Sequence, residues 1–286
     1  MKVNGSTQLL GILGNPLSHT ASPAMHNSVC QQLKVNYIYV PIHITNDDLE
    51  NSLTSLKRLN YKGFNVTIPY KESILPFLDK IDTKAKRLGA VNTVVNENDQ
   101  WVGYNTDGQG FLEALEKESN FQVENTRVCI IGAGGSARAI ADTLLEEKIE
   151  SLVIINRTIE KARLLADTLK TNFTQRIEIK SITDPSLSMS LNDSHLIINA
   201  TSLGMYPNQH TCPLNDFSWI KKTHFLYDLI YNPEETLFLN EAYKIGAPHL
   251  SGTGMLAGQG YLAFEYFTQT KAPYELFRAA LEDFFS

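Results

Sequence analysis

Short runs of apolar, β-type residues alternate along the chain with segments whose apolar positions recur at helical spacing. Residues 9–13, 37–40 and 64–68 read as strands, and each precedes a segment with helical character, at 22–33, 47–59 and 71–78. The helical faces show in the spacing: Met25, Val29 and Leu33 stand four apart, and Leu49, Leu53 and Leu56 at four and three. Alternating β and α predicts an α/β architecture, a mostly parallel sheet with helices on both faces.

A predicted hairpin interrupts the alternation, with residues 91–95 and 101–104 flanking the turn-forming run Asn96-Glu97-Asn98-Asp99. A helix carrying Phe111, Leu112 and Leu115 follows, and a second β/α series then begins at Arg127. Its predicted strands are 128–131, 152–155, 177–179, 196–199 and 225–229, and the final predicted helices, 234–244 and 255–268, come after the last strand. The second series reads as a separate domain with its boundary near Asp107. No internal repeat or low-complexity segment breaks the pattern.

Length agrees, since 286 residues correspond to about two domains at roughly 150 residues each. The composition, 43% hydrophobic and 20% charged, is that of a globular chain and excludes disorder, collagen and coiled coil. A net charge of −6 argues against a nucleic-acid surface, where a basic patch is expected. Cys30, Cys129 and Cys212 stand far apart with no CxxC pair, which fits neither a disulfide framework nor a zinc ribbon and suggests a reducing compartment. The first residues make a poor signal peptide, and no apolar run is long enough for a membrane span. A cytoplasmic protein is expected.

Candidate chemistry begins at Gly132-Ala133-Gly134-Gly135-Ser136-Ala137, which follows a predicted strand and opens a predicted helix. Gly132, Gly134 and Ala137 fit G-x-G-x-x-G/A: a glycine for the tight turn, a glycine where pyrophosphate approaches the backbone, and a small residue where helix meets strand. The helix's free N–H groups then face the anion. The next strand ends in Asn156-Arg157-Thr158, with Lys161 one turn later, where an NAD site places a carboxylate. Arginine, lysine and a hydroxyl suit a 2′-phosphate, so NADP is expected rather than NAD. The same stretches are also compatible with a glycine-rich connection and a solvated helix start.

In the first half, Ser22-Pro23 reads as an N-cap with proline at the first helical position. Thr20 and Ser22 lie two apart beside free helix N–H groups, where they can hold a carboxylate. Asn65 and Thr67 share a strand face by alternation, and Lys71 follows just past that strand's C-terminal end, the edge where open α/β sheets bind ligands. That lysine reads either as a proton donor or as a surface charge. Asn92 and Asp107 taken singly read as turn residues. The seven histidines, His19, His26, His43, His195, His210, His224 and His249, form no metal-binding pattern, so no metal is expected.

Nine stretches in order resemble the shikimate dehydrogenase family over nearly the whole chain. They are GNPLSHTASPAMHN at 14–27, GFNVTIPYK at 63–71, GAVNT at 89–93, GYNTDG at 103–108, GAGGSA at 132–137, NRT at 156–158, NATSLGM at 199–205, YDLIYNP at 227–233 and GTGMLAGQ at 252–259. The resemblance implies reversible NADPH-dependent reduction of 3-dehydroshikimate to shikimate, a step toward chorismate and the aromatic amino acids. It implies an N-terminal α/β substrate domain, residues 1–106 completed by 253–286, and a Rossmann-type doubly wound NADP-binding domain, residues 107–252. The C-terminal helix would return to the substrate domain.

By position, the resemblance makes Lys71 the catalytic lysine with Asp107 beside it. Thr20 and Ser22 would hold the substrate carboxylate, and Thr67, Asn92, Asp107, Tyr231 and Gln259 its ring hydroxyls. Gly132, Ala133, Gly134, Gly135, Ser136 and Ala137 would hold the pyrophosphate, and Asn156, Arg157, Thr158 and Lys161 the 2′-phosphate. Leu229, Gly252 and Met255 would surround the nicotinamide. Thr20 stands where the family commonly has serine, and Lys161 where it often has arginine. Quinate/shikimate dehydrogenase and a non-catalytic dinucleotide-binding relative are the alternatives, and a monomer or homodimer is expected.

Overall fold

The structure, a computed structural model, describes residues 2–44 and 48–286. The expected start of the 47–59 helix at Asp47 lies outside the described residues. The chain divides into two compact units, Met1–Asp107 with Ala257–Ser286, and Gly108–Leu256.

In the first unit, strands β1 (Gln8–Gly14), β2 (Tyr37–His43), β3 (Tyr61–Val66), β4 (Lys80–Ile81), β5 (Thr93–Glu97) and β6 (Gln100–Tyr104) form one sheet in the order β2-β1-β3-β5-β6-β4. Pairing is parallel for β2, β1 and β3 and antiparallel at β3/β5 and through the β5/β6 hairpin. The helices between strands are α1 (Ser22–Gln32), α2 (Leu49–Arg58), α3 (Tyr70–Ser73) and α4 (Thr83–Leu88). Leu49, Leu53 and Leu56 form the buried face of α2 as their spacing predicts, and Asp48 caps its N-terminus by accepting from the Asn51 N–H at 3.2 Å.

Two expectations change here. The 71–78 segment is not one helix: α3 ends at Ser73 and a 3-10 turn covers Leu75–Phe77, because Pro76 lacks an N–H and disfavours α geometry in the residue before it. Ser22 is the first residue of α1 rather than its cap, a position taken by Ala21, whose backbone is already helical.

The second unit begins within α5 (Asp107–Glu118) and holds β7 (Arg127–Ile131), β8 (Ser151–Asn156), β9 (Arg176–Ser181), β10 (Leu196–Asn199), β11 (Phe225–Asp228) and β12 (His249–Leu250). All six pair in parallel in the order β12-β11-β10-β7-β8-β9. Alternate residues feed opposite faces, as side chains on a pleated strand must: Val128 and Ile130 join one core cluster, while Cys129 and Ile131 join the other. Helices α6 (Gly135–Glu146), α7 (Ile159–Lys170), α8 (Leu187–Asp193) and α9 (Leu237–Ile245) connect the strands. The order reverses at β7, so β7 marks the switch point where such sheets open a ligand crevice.

The strand expected at 225–229 is not the last, because the two-residue β12 pairs beyond it. The helix expected from 234 starts at Leu237, since Thr236 is its N-cap and accepts from the Leu239 N–H at 3.3 Å. The helix expected at 255–268 is α10 (Gly252–Thr268), and α11 (Tyr274–Phe285) follows it. From Ala257 onward these helices belong to the first unit, where Ala263 and Phe267 of α10 pack with Leu10, Ile12, Tyr39 and Val95.

Candidate functional site

In the first unit the parallel strands β1 and β3 end side by side, and the polar residues singled out in the sequence gather beyond that edge. Lys71, on the short helix α3 after β3, donates from Nζ to Asp107 Oδ2 at 2.6 Å, with 21% of the lysine side chain exposed against 6% of the aspartate. A charge-assisted contact this short is stronger than a neutral one. Asn92 Nδ2 donates to the other Asp107 oxygen at 2.8 Å and to Thr106 Oγ1 at 2.9 Å. The Thr106 N–H returns a bond to Asn92 Oδ1 at 2.9 Å, so the asparagine amide is clamped at both ends.

The network continues inward. Thr93 Oγ1 donates to Asn92 Oδ1 at 2.9 Å, and Asn65 Nδ2 donates to the Asn92 carbonyl and to Thr93 Oγ1, both at 3.1 Å. Tyr39 donates its hydroxyl to Asn65 Oδ1 at 2.8 Å and is hydrogen-bonded by the Ser22 hydroxyl, while burial raises its phenol well above the ordinary range. One buried chain of polar contacts therefore links Ser22 to Asp107 and the Lys71 ammonium. Thr20 joins at its outer end by accepting the Ser22 N–H at 3.4 Å. Thr67 lies half-buried just past the end of β3 rather than on it. Gln259 is half-buried on α10, and its carbonyl accepts from Thr106 Oγ1 at 3.1 Å.

Tyr39 and Thr106 carry no functional signal in the sequence, and Asn65 shows only its strand face. For Asn65 the alternation with Phe64 and Val66 was a usable signal. Tyr39 had none, because its partner lies two strands away across β1.

In the second unit β7 runs into the glycine loop. Gly132 has φ +120°, and a Cβ there would meet the Ala200 carbonyl at 2.8 Å, so both backbone and space require glycine. Gly134 and Gly135 differ: a Cβ on either would meet nothing within 4 Å. Gly134 caps α6 with no side-chain hydrogen bond, which leaves the helix's first N–H groups facing that open space. A cradle of bare backbone at a helix N-terminus fits the pyrophosphate of a dinucleotide. Ala137 is fully buried where α6 meets the sheet, and Ala133 and Ser136 are half-buried.

At the end of β8, Asn156 Nδ2 donates to the Thr158 carbonyl at 2.8 Å and shapes the turn. Arg157, Thr158 and Lys161 are exposed at the start of α7, which suits them to a 2′-phosphate. Leu229 and Tyr231 follow β11, both half-buried, and burial raises the Tyr231 phenol above its ordinary range. Gly252 packs directly on the Leu229 carbonyl, which by itself accounts for glycine there. Met255 is a member of the core cluster under α5 and α6. Among the described residues no group of three or more His, Cys, Asp or Glu is placed to hold a metal ion, and no helix is long and apolar enough to cross a membrane.

Comparison with known proteins shows three family models in succession. Residues 12–94 match the shikimate dehydrogenase substrate binding domain, 114–206 the shikimate / quinate 5-dehydrogenase model, and 252–282 the shikimate 5′-dehydrogenase C-terminal domain. The shikimate dehydrogenase (NADP(+)) of Carboxydothermus hydrogenoformans is 42% identical over 281 residues, 98% of this chain and 99% of that protein. A crystal structure of a shikimate dehydrogenase in complex with NADP+ superposes with a TM-score of 0.93 at 37% identity, over 100% of this chain and 98% of the other. The shikimate 5-dehydrogenase of Listeria monocytogenes, in complex with shikimate and NAD, gives 0.92 at 30% identity over 98% of both chains.

Proposed function

We propose that this chain, which belongs to the shikimate dehydrogenase family, catalyses the reversible NADPH-dependent reduction of 3-dehydroshikimate to shikimate, a step in chorismate and aromatic amino acid biosynthesis. The observation that carries the reading is the Lys71–Asp107 pair at 2.6 Å, buried on the carboxylate side and partly exposed on the lysine side.

NADPH, when bound, supplies the hydride. Hydride arrival at a ring carbonyl carbon leaves negative charge on oxygen, and Lys71, whose side chain is partly exposed, is suited to donate the proton that neutralises it. Asp107 holds the ammonium in position and stabilises its charge, while Asn92 orients Asp107 without adding charge. In the oxidative direction the same pair takes the proton back. Thr20 and Ser22 hold the substrate carboxylate beside the start of α1, and Thr67, Gln259 and Tyr231 bind ring hydroxyls. Gly132 to Ala137 hold the pyrophosphate, Asn156, Arg157, Thr158 and Lys161 the 2′-phosphate, and Leu229, Gly252 and Met255 surround the nicotinamide. Apart from Tyr231, the substrate roles fall on the first unit, and the dinucleotide roles fall on the second. Three cysteines without disulfides support a cytoplasmic location, and the assembly is a monomer or homodimer.

The test is the rate of NADP reduction with shikimate, followed by near-ultraviolet absorbance. Turnover with shikimate and a kcat/KM for NADP well above that for NAD are expected. Tight NADP binding without turnover would sink the catalytic reading. The match to a model described as shikimate / quinate 5-dehydrogenase makes quinate the competitor to run alongside. A kcat/KM for quinate equal to that for shikimate would move the assignment to the broader activity.

A further inference from the structure

Asp228 closes β11 and is completely buried, yet no lysine, arginine or histidine pairs with it among the described residues. Neutral donors from three segments fill its oxygens. Asn199 Nδ2, at the end of β10, donates at 3.0 Å. The Ile230 N–H, on the segment after β11, donates to the same oxygen at 3.1 Å. Thr236 Oγ1, at the N-cap of α9, donates to the other at 2.6 Å. Burial without a cation pushes the carboxyl up to about 6. A carboxylate kept in such a place is costly, and an apolar residue would serve a core better.

The cost coincides with a particular piece of backbone. The Leu229 N–H donates to the Asn199 carbonyl at 3.0 Å, and the Gly252 N–H donates to the Ile230 carbonyl at 2.9 Å. Gly252 also packs against the Leu229 carbonyl with no room for a side chain. Leu229 and Gly252 are thus fixed to one another through the short segment that Asp228 grips from beneath. Thr236, the second anchor, is itself buried and holds α9 to the same carboxylate.

We propose that Asp228 is a positioning residue for the nicotinamide end of the dinucleotide, acting through the Leu229–Ile230 backbone and through Gly252 rather than by touching the ligand. The inference rests on the dinucleotide reading of this unit. Its hydrogen bonds prearrange a surface that would otherwise have to order on binding, and prearrangement shows as affinity and as correct aim of the reacting ring.

The test compares two ligands by calorimetry, NADP and 2′-phospho-ADP-ribose, which lacks the nicotinamide. Asp228→Ala is expected to weaken NADP binding about fivefold or more while leaving 2′-phospho-ADP-ribose within about twofold. Its kcat/KM for NADP should fall about tenfold or more, with the KM for shikimate little changed. Asp228→Asn should rescue most of the loss, because its single oxygen can take both the Asn199 and Ile230 donors and Thr236 can accept from its amide. If Asp228→Ala does not fold, Thr236→Val, which removes one donor, should show the same ligand-selective loss at smaller amplitude. Equal loss for both ligands, no loss for either, or failure of the asparagine to rescue would overturn the proposal. Wild-type protein that binds NADP without oxidising shikimate would defeat the catalytic reading, and the two-ligand comparison would still decide the role of Asp228.

Discussion

Each of the two units holds a buried aspartate at or just beyond its sheet, and the two differ in what surrounds them. Asp107, beyond the first sheet, meets the partly exposed Lys71 ammonium at 2.6 Å. Asp228, at the end of the second, meets an amide, a backbone N–H and a hydroxyl, with no cation. A carboxylate paired with a reachable ammonium can take part in moving a proton. One enclosed by neutral donors from three segments can only hold those segments together. The same residue type therefore serves chemistry in one unit and geometry in the other, and the distinction lies in the partners.

The largest expected effect tests the first half of that contrast. Lys71→Ala should lower kcat by about 10²- to 10⁴-fold, the range for losing a general acid, while calorimetry finds NADP affinity unchanged. A parallel loss of NADP affinity would show that the pair is not confined to chemistry.

Stability against pH separates the units further, through one buried group in each whose shifted titration falls in the acid range. His26 in the first unit is completely buried, stacked on Tyr39 at 4.3 Å, with neither ring nitrogen hydrogen-bonded. Burial lowers its pKa from 6.5 to about 3. The unfolded chain binds the proton first as pH falls, so stability is complete above pH 6.5 and is lost toward pH 3. That loss is of order 5 kcal/mol at the acid end, and His26→Phe should remove it in urea titrations across that range.

Asp228 has the opposite sign. Its carboxyl is raised from 3.8 to about 6, so the native state keeps the proton longer. Its contribution is complete below pH 3.8 and is lost as pH rises through about 6, by about 3 kcal/mol. Asp228→Asn should accordingly unfold at higher urea than wild type at pH 8, with the difference vanishing near pH 4. A variant less stable at pH 8 would mean that the charge itself is needed.

A smaller effect concerns the exposed cations of the second unit. Arg157→Ala should lower kcat/KM for NADP about ten- to a hundredfold, the worth of a hydrogen bond to a charged group, and leave NAD within about twofold. Equal losses for both cofactors would place the arginine somewhere other than the 2′-phosphate.

Much of this was legible in the sequence where one segment carries its own signal. Strands β7, β8, β10 and β11 showed as apolar runs because both faces of a parallel sheet are covered, and the glycine loop showed because strand, turn and helix are contiguous. Pro76 was equally visible, yet the apolar spacing around it suggested a continuous helix. Ser22-Pro23 looked like a cap because proline marks the first turn without saying which residue precedes it. Two-residue β12 is too short for any periodicity. The polar chain through Tyr39, Asn65 and Thr106 was hidden for a different reason: its members come from separate strands and a loop, and only the strand order brings them together.

Gly134 and Gly135 carry a practical consequence. Nothing in the protein occupies the space a side chain would fill there, and Gly134 has an ordinary backbone conformation, φ −87° and ψ −173°. Gly134→Ala should therefore change stability by no more than about 1 kcal/mol, since alanine is a poorer N-cap than glycine but restricts the unfolded chain, while NADP binding collapses. Foldability and cofactor capture are separable at this loop, and a single methyl group can silence one without disturbing the other.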